Sequence, residues 1–231
     1  MPGSTRNLIE NGREGRLLQA ISIKTDSKTQ TNSTQEQLNS LKTQAKQEAV
    51  LIDWSPYSGT VRYQGFCGAC YAFSTVDTVS AHLAINRFGF FYQLSVQQVI
   101  DCTDNGLTFG CRGGYLEGAL TQIQMKGIVS ETAYPFTSGS KGFEGNCKVQ
   151  TGSFKVKSFS TIQEGDCPAI IQELKRGPVS AGISGYNLRF YDSGVFNECQ
   201  TADQLDHAIM IVGYTSGKGW LIKNSWGVDW G

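Results

Sequence analysis

Few residues in this 231-residue chain can do covalent chemistry: two histidines and seven cysteines are the starting set. Cys70 stands in Gln64-Gly65-Phe66-Cys67-Gly68-Ala69-Cys70-Tyr71, at the point where a helical pattern begins. Free N–H groups and the positive end of a helix dipole favour a thiolate at such a position. The thiolate is the nucleophilic form of cysteine, and it needs a partner that moves protons. His82 lies on the same predicted helix, about 18 Å of rise away, and is out of reach. His207 is the base that remains. It opens an apolar run, Ala208-Ile209-Met210-Ile211-Val212, where a polar ring needs an orienting partner. Asn224, at the end of the next apolar run, can offer a side-chain oxygen to that ring. Trp226 can shield the bond from water, and a low dielectric strengthens both the bond and a Cys–His ion pair. The chemistry this set could do is nucleophilic acyl transfer.

The elements that must position these residues are legible from periodicity. Phe73, Val76, Val79, Leu83 and Ala84 predict a helix over 70–88, stopped by Gly89. Ser95 and Gln98 have capping-box spacing ahead of Val99, Ile100 and Cys102. A helix is predicted from Tyr115 to Lys126 and ended by Gly127. Another is capped at or beside Asp166, runs to Lys175 and stops at Gly177-Pro178. Val179–Ser184, His207–Tyr214 and Trp220–Asn224 read as strands. Helices first and strands later predict an α+β protein of two lobes.

Residues 1–48 differ from the rest: they are rich in Ser, Thr, Asn, Gln and Lys and hold no aromatic residue. Such a segment buries too little surface to offset its ordering entropy. It reads as a polar N-terminal segment ahead of a globular domain over 49–231. Thr34 to Ala49, with Leu38, Leu41 and Ala45 on one face, reads as a weak amphipathic helix. Asn32-Ser33-Thr34 fits the N-glycosylation pattern, which matters only on a secretory route.

Composition narrows the function classes. Twenty basic residues balance twenty acidic ones, so no nucleic-acid or acidic-membrane partner is expected. No 18-residue apolar run is present to make a transmembrane helix, and Met1 to Arg6 lack the apolar stretch of a secretory signal. Seven cysteines read as three bridges and one free thiol; seven reduced, buried cysteines are the plainer alternative. Cys67-Gly68-Ala69-Cys70 also has the spacing of a redox motif or half a zinc site. No second close pair supports that reading, since Cys102 and Cys111 stand apart, and no βαβ pattern surrounds it. Taken singly, Gln64 reads as a surface amide, Asn224 as a turn residue, His207 as a satisfied core histidine and Trp226 as core. Their order along one chain favours a site. His82 reads as structural or exposed.

The stretch Gln64–Tyr71 resembles the active-site segment of papain-like cysteine proteases, the papain and cathepsin L family. The later His207 and Asn224 follow in that family's order. Further matches are Leu94-Ser95 to Asp101-Cys102, Gly110-Cys111-Arg112-Gly113-Gly114-Tyr115, Ala133-Tyr134-Pro135-Phe136, Gly177-Pro178-Val179-Ser180 and Lys223-Asn224-Ser225-Trp226-Gly227. The resemblance covers roughly residues 50–231. It implies a helical left lobe, a β-barrel-like right lobe and a cleft between them.

The resemblance also implies roles. Cys70 would attack the peptide carbonyl, and Gln64 with the Cys70 N–H would hold the oxyanion. His207 would act as acid and base, oriented by Asn224. Gly113 and Gly114 would pair with an extended substrate. Gly68, Arg112, Tyr115, Leu116, Gly182, Leu205, Asp206, Ala208 and Trp226 would line the rest of the substrate site. Tyr115, Leu116, Gly182, Leu205 and Ala208 would form a pocket for an apolar residue, the second before the cut. Arg112 would favour an acidic residue at the third. Cys67–Cys111 and Cys102–Cys147 would be bridges, leaving Cys167 to pair with Cys199. Neither cofactor nor metal is implied. Expected partners are peptide or protein substrates and propeptide or cystatin-like inhibitors, on a monomer in a lysosomal, vacuolar or secreted setting. The rival reading is a protease-like protein that no longer cleaves and serves in binding or structure.

The chain also departs from the family pattern. Relatives continue past the residues matching Trp230-Gly231 with further strands and the floor of the pocket. The resemblance therefore implies a domain cut short, with open strand edges, exposed core and lower stability. Residues 1–48 lack the helical signature of the family's propeptides and read as a propeptide remnant or an unrelated tail. Tyr71 replaces the commoner Trp.

Overall fold

The computed structural model describes residues 7–9, 18–24, 51–197 and 204–231. The elements in chain order are β1 (Asn7–Ile9), β2 (Leu18–Lys24), β3 (Leu51–Asp53), α1 (Cys70–Leu83), α2 (Val96–Cys102), α3 (Leu116–Lys126), α4 (Ser138–Lys141), β4 (Ser158–Thr161), α5 (Cys167–Leu174), β5 (Val179–Ile183), β6 (Val195–Phe196), β7 (His207–Thr215) and β8 (Gly219–Lys223). The expected helix over Thr34–Ala49, the Asn32 sequon and Cys199 lie outside the described residues.

The helix signals act as read. A π-helical turn, Ala84–Phe88, prolongs α1 to Gly89, whose φ of 73° supplies the left-handed stop. Ser95 caps α2 by accepting from the Gln98 N–H at 3.0 Å. The return half of a capping box is absent here, because Gln98 turns its amide to the backbone of Val129 and Val149. Gly127 ends α3. Asp166 caps α5 through the Ala169 N–H, with Pro168 in the first turn.

Beyond its first residue α1 is buried on all sides, because it lies between two lobes. One side carries Phe73, Val76, Val79 and Leu83 into a helical core with Leu94, Leu116, Leu120 and Ile123. Another carries Ala81 against Met210, Val212 and Leu221 of the sheet. Its hydroxyls stitch the seam. Ser74 Oγ donates to the Ile209 carbonyl at 2.7 Å, and Ser180 Oγ meets Thr78 at 2.8 Å. The second core lies on the sheet: Ile170, Leu174, Val179, Ile209, Ile211, Trp220 and Ile222, with Trp54, Trp226 and Trp230 at its margin.

Among the described residues eight strands form one sheet in the order β4-β2-β5-β7-β8-β1-β6, with β3 on β7. One difference is closure: among the described residues the sheet is not closed into a barrel, within the expected α+β, two-lobe fold. A second difference concerns the polar N-terminal segment. It supplies β1 and β2, which composition alone did not suggest. A third follows: the edge of β8 away from β7 is not bare but paired antiparallel to β1.

Candidate active site

Cys70 is the first residue of α1, and His207 is the first residue of β7. The seam described above brings those two ends together. Both side chains line one cleft of about 610 Å³ between the lobes, and the backbone of Ala208, next to His207, favours the thiolate form of Cys70. His82 is buried elsewhere, with Nε2 donating to the Pro178 carbonyl at 2.9 Å.

His207 Nε2 donates to Asn224 Oδ1 at 2.8 Å. The same oxygen accepts the Ser225 N–H at 2.8 Å. Two donors on one atom identify it as the amide oxygen. The bond therefore keeps a proton on Nε2 and leaves Nδ1 as the basic nitrogen. Trp226 lies on the ring at a centroid distance of 4.5 Å and is braced edge-on by Trp230. Burial pushes the His207 imidazole down; Asn224 and Asp206 pull it back up. Burial pushes the Cys70 thiol up; backbone groups of Ala208, Tyr71 and Cys70 oppose it. Neither group gains charge cheaply alone. A proton passed from the sulfur to the imidazole would create two opposite charges within the same cleft, each offsetting the cost of the other.

Gln64 is placed from three sides. Its N–H donates to the Ser225 carbonyl at 2.9 Å, its Oε1 accepts from Ser225 Oγ at 2.7 Å, and its Nε2 donates to the Cys67 carbonyl at 3.0 Å. One Nε2 hydrogen remains to face the cleft that Gln64 lines. Sequence reasoning left Ser225 without a role. Its hydroxyl and N–H tie Gln64 to Asn224, and its place inside Asn224-Ser225-Trp226 was the available signal. Phe109 and Glu117 also line the cleft and were not foreseen.

The other expected site residues line the same cleft: Gly68, Arg112, Gly113, Gly114, Tyr115, Leu116, Gly182, Leu205, Asp206, Ala208 and Trp226. At Gly68 a Cβ would meet the Cys111 carbonyl oxygen at 2.6 Å, so that turn needs glycine. Gly114 opposes Thr108, flanked by the bonds Phe109 N–H to Gly113 and Tyr115 N–H to Leu107. Gly114 therefore turns its own N–H and C=O to the other side, as an edge that can take a strand. Tyr71 is buried and donates to the Gly110 carbonyl at 3.0 Å. Asp206 accepts the Gly185 N–H at 2.6 Å, which fixes the loop beside the ring.

Cys67–Cys111 and Cys102–Cys147 are bridged. The first ties the Gln64 loop to the Gly113-Gly114 edge. Cys167 carries a free thiol, so the expected Cys167–Cys199 bridge is not formed. Cys167 starts α5 beneath the sheet, and leftover pairing by count took no account of place. Among the described residues no cluster of His, Cys, Asp and Glu could hold a metal.

Behind the site lies a charge cluster that the sequence did not announce. Asp77 of α1 accepts from Arg62 and is paired with Lys223 at 2.8 Å, both buried. Burial alone would raise Asp77, but the two cations outweigh it and hold its carboxyl below the usual range. Arg62 stands two residues before Gln64, and Lys223 directly before Asn224.

A sequence model described as papain family cysteine protease matches residues 49–231. The senescence-specific cysteine protease SAG12 of Arabidopsis thaliana is 36% identical over 195 residues, covering 79% of this chain and 54% of the relative. Putative cathepsin L 3 of Paramecium tetraurelia is 33% identical over 78% of this chain and 56% of its own. The chain thus spans about half the length of these curated relatives. Among solved structures, bromelain from Ananas comosus in complex with the E64 inhibitor superposes with a TM-score of 0.69 at 32% identity, over 78% of this chain and 85% of that one. The ragweed pollen allergen Amb a 11 in its proform gives 0.69 at 33%, over 78% and 56%. With this match, this cleft and these lobes, the chain belongs to the papain family of cysteine proteases.

Proposed function

We propose that this chain is a cysteine endopeptidase whose nucleophile is Cys70. The observation that carries the reading is one cleft receiving a sulfur from the tip of α1 and an Asn224-tethered imidazole from the head of β7. His207 Nδ1 takes the thiol proton, and the sulfur adds to the scissile carbonyl carbon. The oxyanion that forms is met by Gln64 Nε2 and the Cys70 N–H. As the C–N bond breaks, the imidazolium gives its proton to the leaving amine, and a thioester remains on Cys70. His207 then removes a proton from water, whose oxygen attacks the thioester and frees the acid.

The extended substrate would pair with Gly114. Tyr115, Leu116, Gly182, Leu205 and Ala208 offer an apolar or small surface for the second residue before the cut, and Arg112 favours an acidic residue at the third. Protein substrates, a propeptide and cystatin-like inhibitors are the proposed partners, since solved neighbours include a proform and a digestive procathepsin L 3. Two bridges suit an oxidising compartment: a lysosome, a vacuole or the exterior.

Cleavage of fluorogenic peptides tests the reading, with Cys70→Ala as control. Turnover and labelling by E64, both lost in Cys70→Ala, are expected; labelling of neither form would leave a protease-like binding protein. A peptide library should favour Leu, Val or Phe at the second position, and a basic preference there would refute the pocket assignment. Equal cleavage of acidic and neutral variants at the third position would rule out the role given to Arg112.

A further inference from the structure

Two interior strands of the second lobe come from the first 24 residues. β1 pairs with β8 on one side, Asn7 to Ile222, Leu8 to Leu221 and Ile9 to Trp220. On the other side it pairs with β6, Leu8 to Val195 and Ile9 to Phe196. β2 lies between β4, from Ile21–Thr161 to Lys24–Ser158, and β5, where Leu18 faces Gly182 and Ile21 faces Ser180. We infer that residues 7–9 and 18–24 are a built-in strand complement of this lobe, kept in the working molecule, and not a leader released on activation.

The topology makes release costly. β4 and β6 end the strand order, so each is joined to the sheet through one of these two strands alone. Taking β1 and β2 away would detach both ends and bare the edges of β5 and β8. Those edges are core backbone: Val179, Ala181, Trp220 and Ile222 are buried. Backbone N–H and C=O groups left unpaired there lose their partners without free access to water.

The two strands are registered against elements that carry or lead into site residues. Gly182 of β5 is registered between Leu18 and Ala208. β8, registered against β1, runs on into Asn224.

Two measurements on the full chain test this. Intact mass and native size-exclusion of the E64-labelled protein should show residues 1–24 attached, or held as a peptide that separates only on denaturation. A labelled species that begins after residue 24 and holds no such peptide would overturn the inference. Failure to label at all would instead sink the peptidase reading, and the second measurement then decides. Proline in an interior strand removes a ladder hydrogen bond. Leu8→Pro and Ile21→Pro should melt about 6–12 °C below Leu8→Ala and Ile21→Ala. Equal midpoints for the proline and alanine variants would show that neither strand belongs to the lobe.

Discussion

At the scale of single residues, two amides divide the work of the site. Asn224 fixes which imidazole nitrogen carries the proton. A hydrogen bond to a charged group contributes about 1.5–3 kcal/mol, so Asn224→Ala should lower kcat/KM by about 10- to 150-fold. Nitrogen NMR of His207 should show mixed tautomers in that variant and one tautomer in the parent. In the proposed mechanism Gln64 meets charge that exists only in the transition state, so Gln64→Ala should lower kcat by about 100- to 1,000-fold with little change in KM. A KM effect as large as the kcat effect would place Gln64 in ground-state binding. The meeting of Cys70, His207 and Asn224 in one region was legible because two histidines leave one candidate base, with Asn224 at the end of the next apolar run. Ser225 was not, since a serine hydroxyl carries no signal until its partner is placed in space.

At the scale of elements, the carboxylate of Asp77 joins three parts of the site: α1 that carries Cys70, the loop of Gln64 through Arg62, and the end of β8 through Lys223. Its folded pKa is depressed by these cations. It therefore contributes stability that is fully present above the unfolded value of about 4 and is lost as pH falls through the lower folded value. The melting midpoint should fall on acidification below about pH 4, and Asp77→Asn should flatten that part of the curve. The variant leaves the buried Lys223 without its carboxylate, while Arg62 keeps Glu131, and should lose about 3–5 kcal/mol at neutral pH. Urea titration at pH 7 and pH 3.5 checks both.

The same scale shows what could be read from sequence. α1, α3 and α5 announce themselves by apolar period, caps and glycine stops. β5, β7 and β8 do so by apolar runs. β1 and β2 escaped because their segment looks polar as a whole, and β4 and β6 are too short to show alternation. Strand partners depend on distant register, which no local pattern records. The Cys167 pairing failed for the same reason: count gives a number of bridges, and only topology gives partners.

At the scale of the whole molecule, both bridges lie in the helical lobe and close loops of 44 and 45 residues. Loops of that size contribute about 4 kcal/mol each in the chain-entropy account. Reduction of both should lower the melting midpoint by about 15–30 °C. Calorimetry with and without a thiol reductant measures it, and an unchanged midpoint would mean that the helical lobe holds without its bridges. All four tryptophans, in contrast, pack in or against the core of the sheet lobe. Indole fluorescence is therefore a private reporter of the half that holds the imidazole. A reductant that loosens the helical half first would silence turnover while the emission maximum stayed blue, so light and activity would fade at different doses.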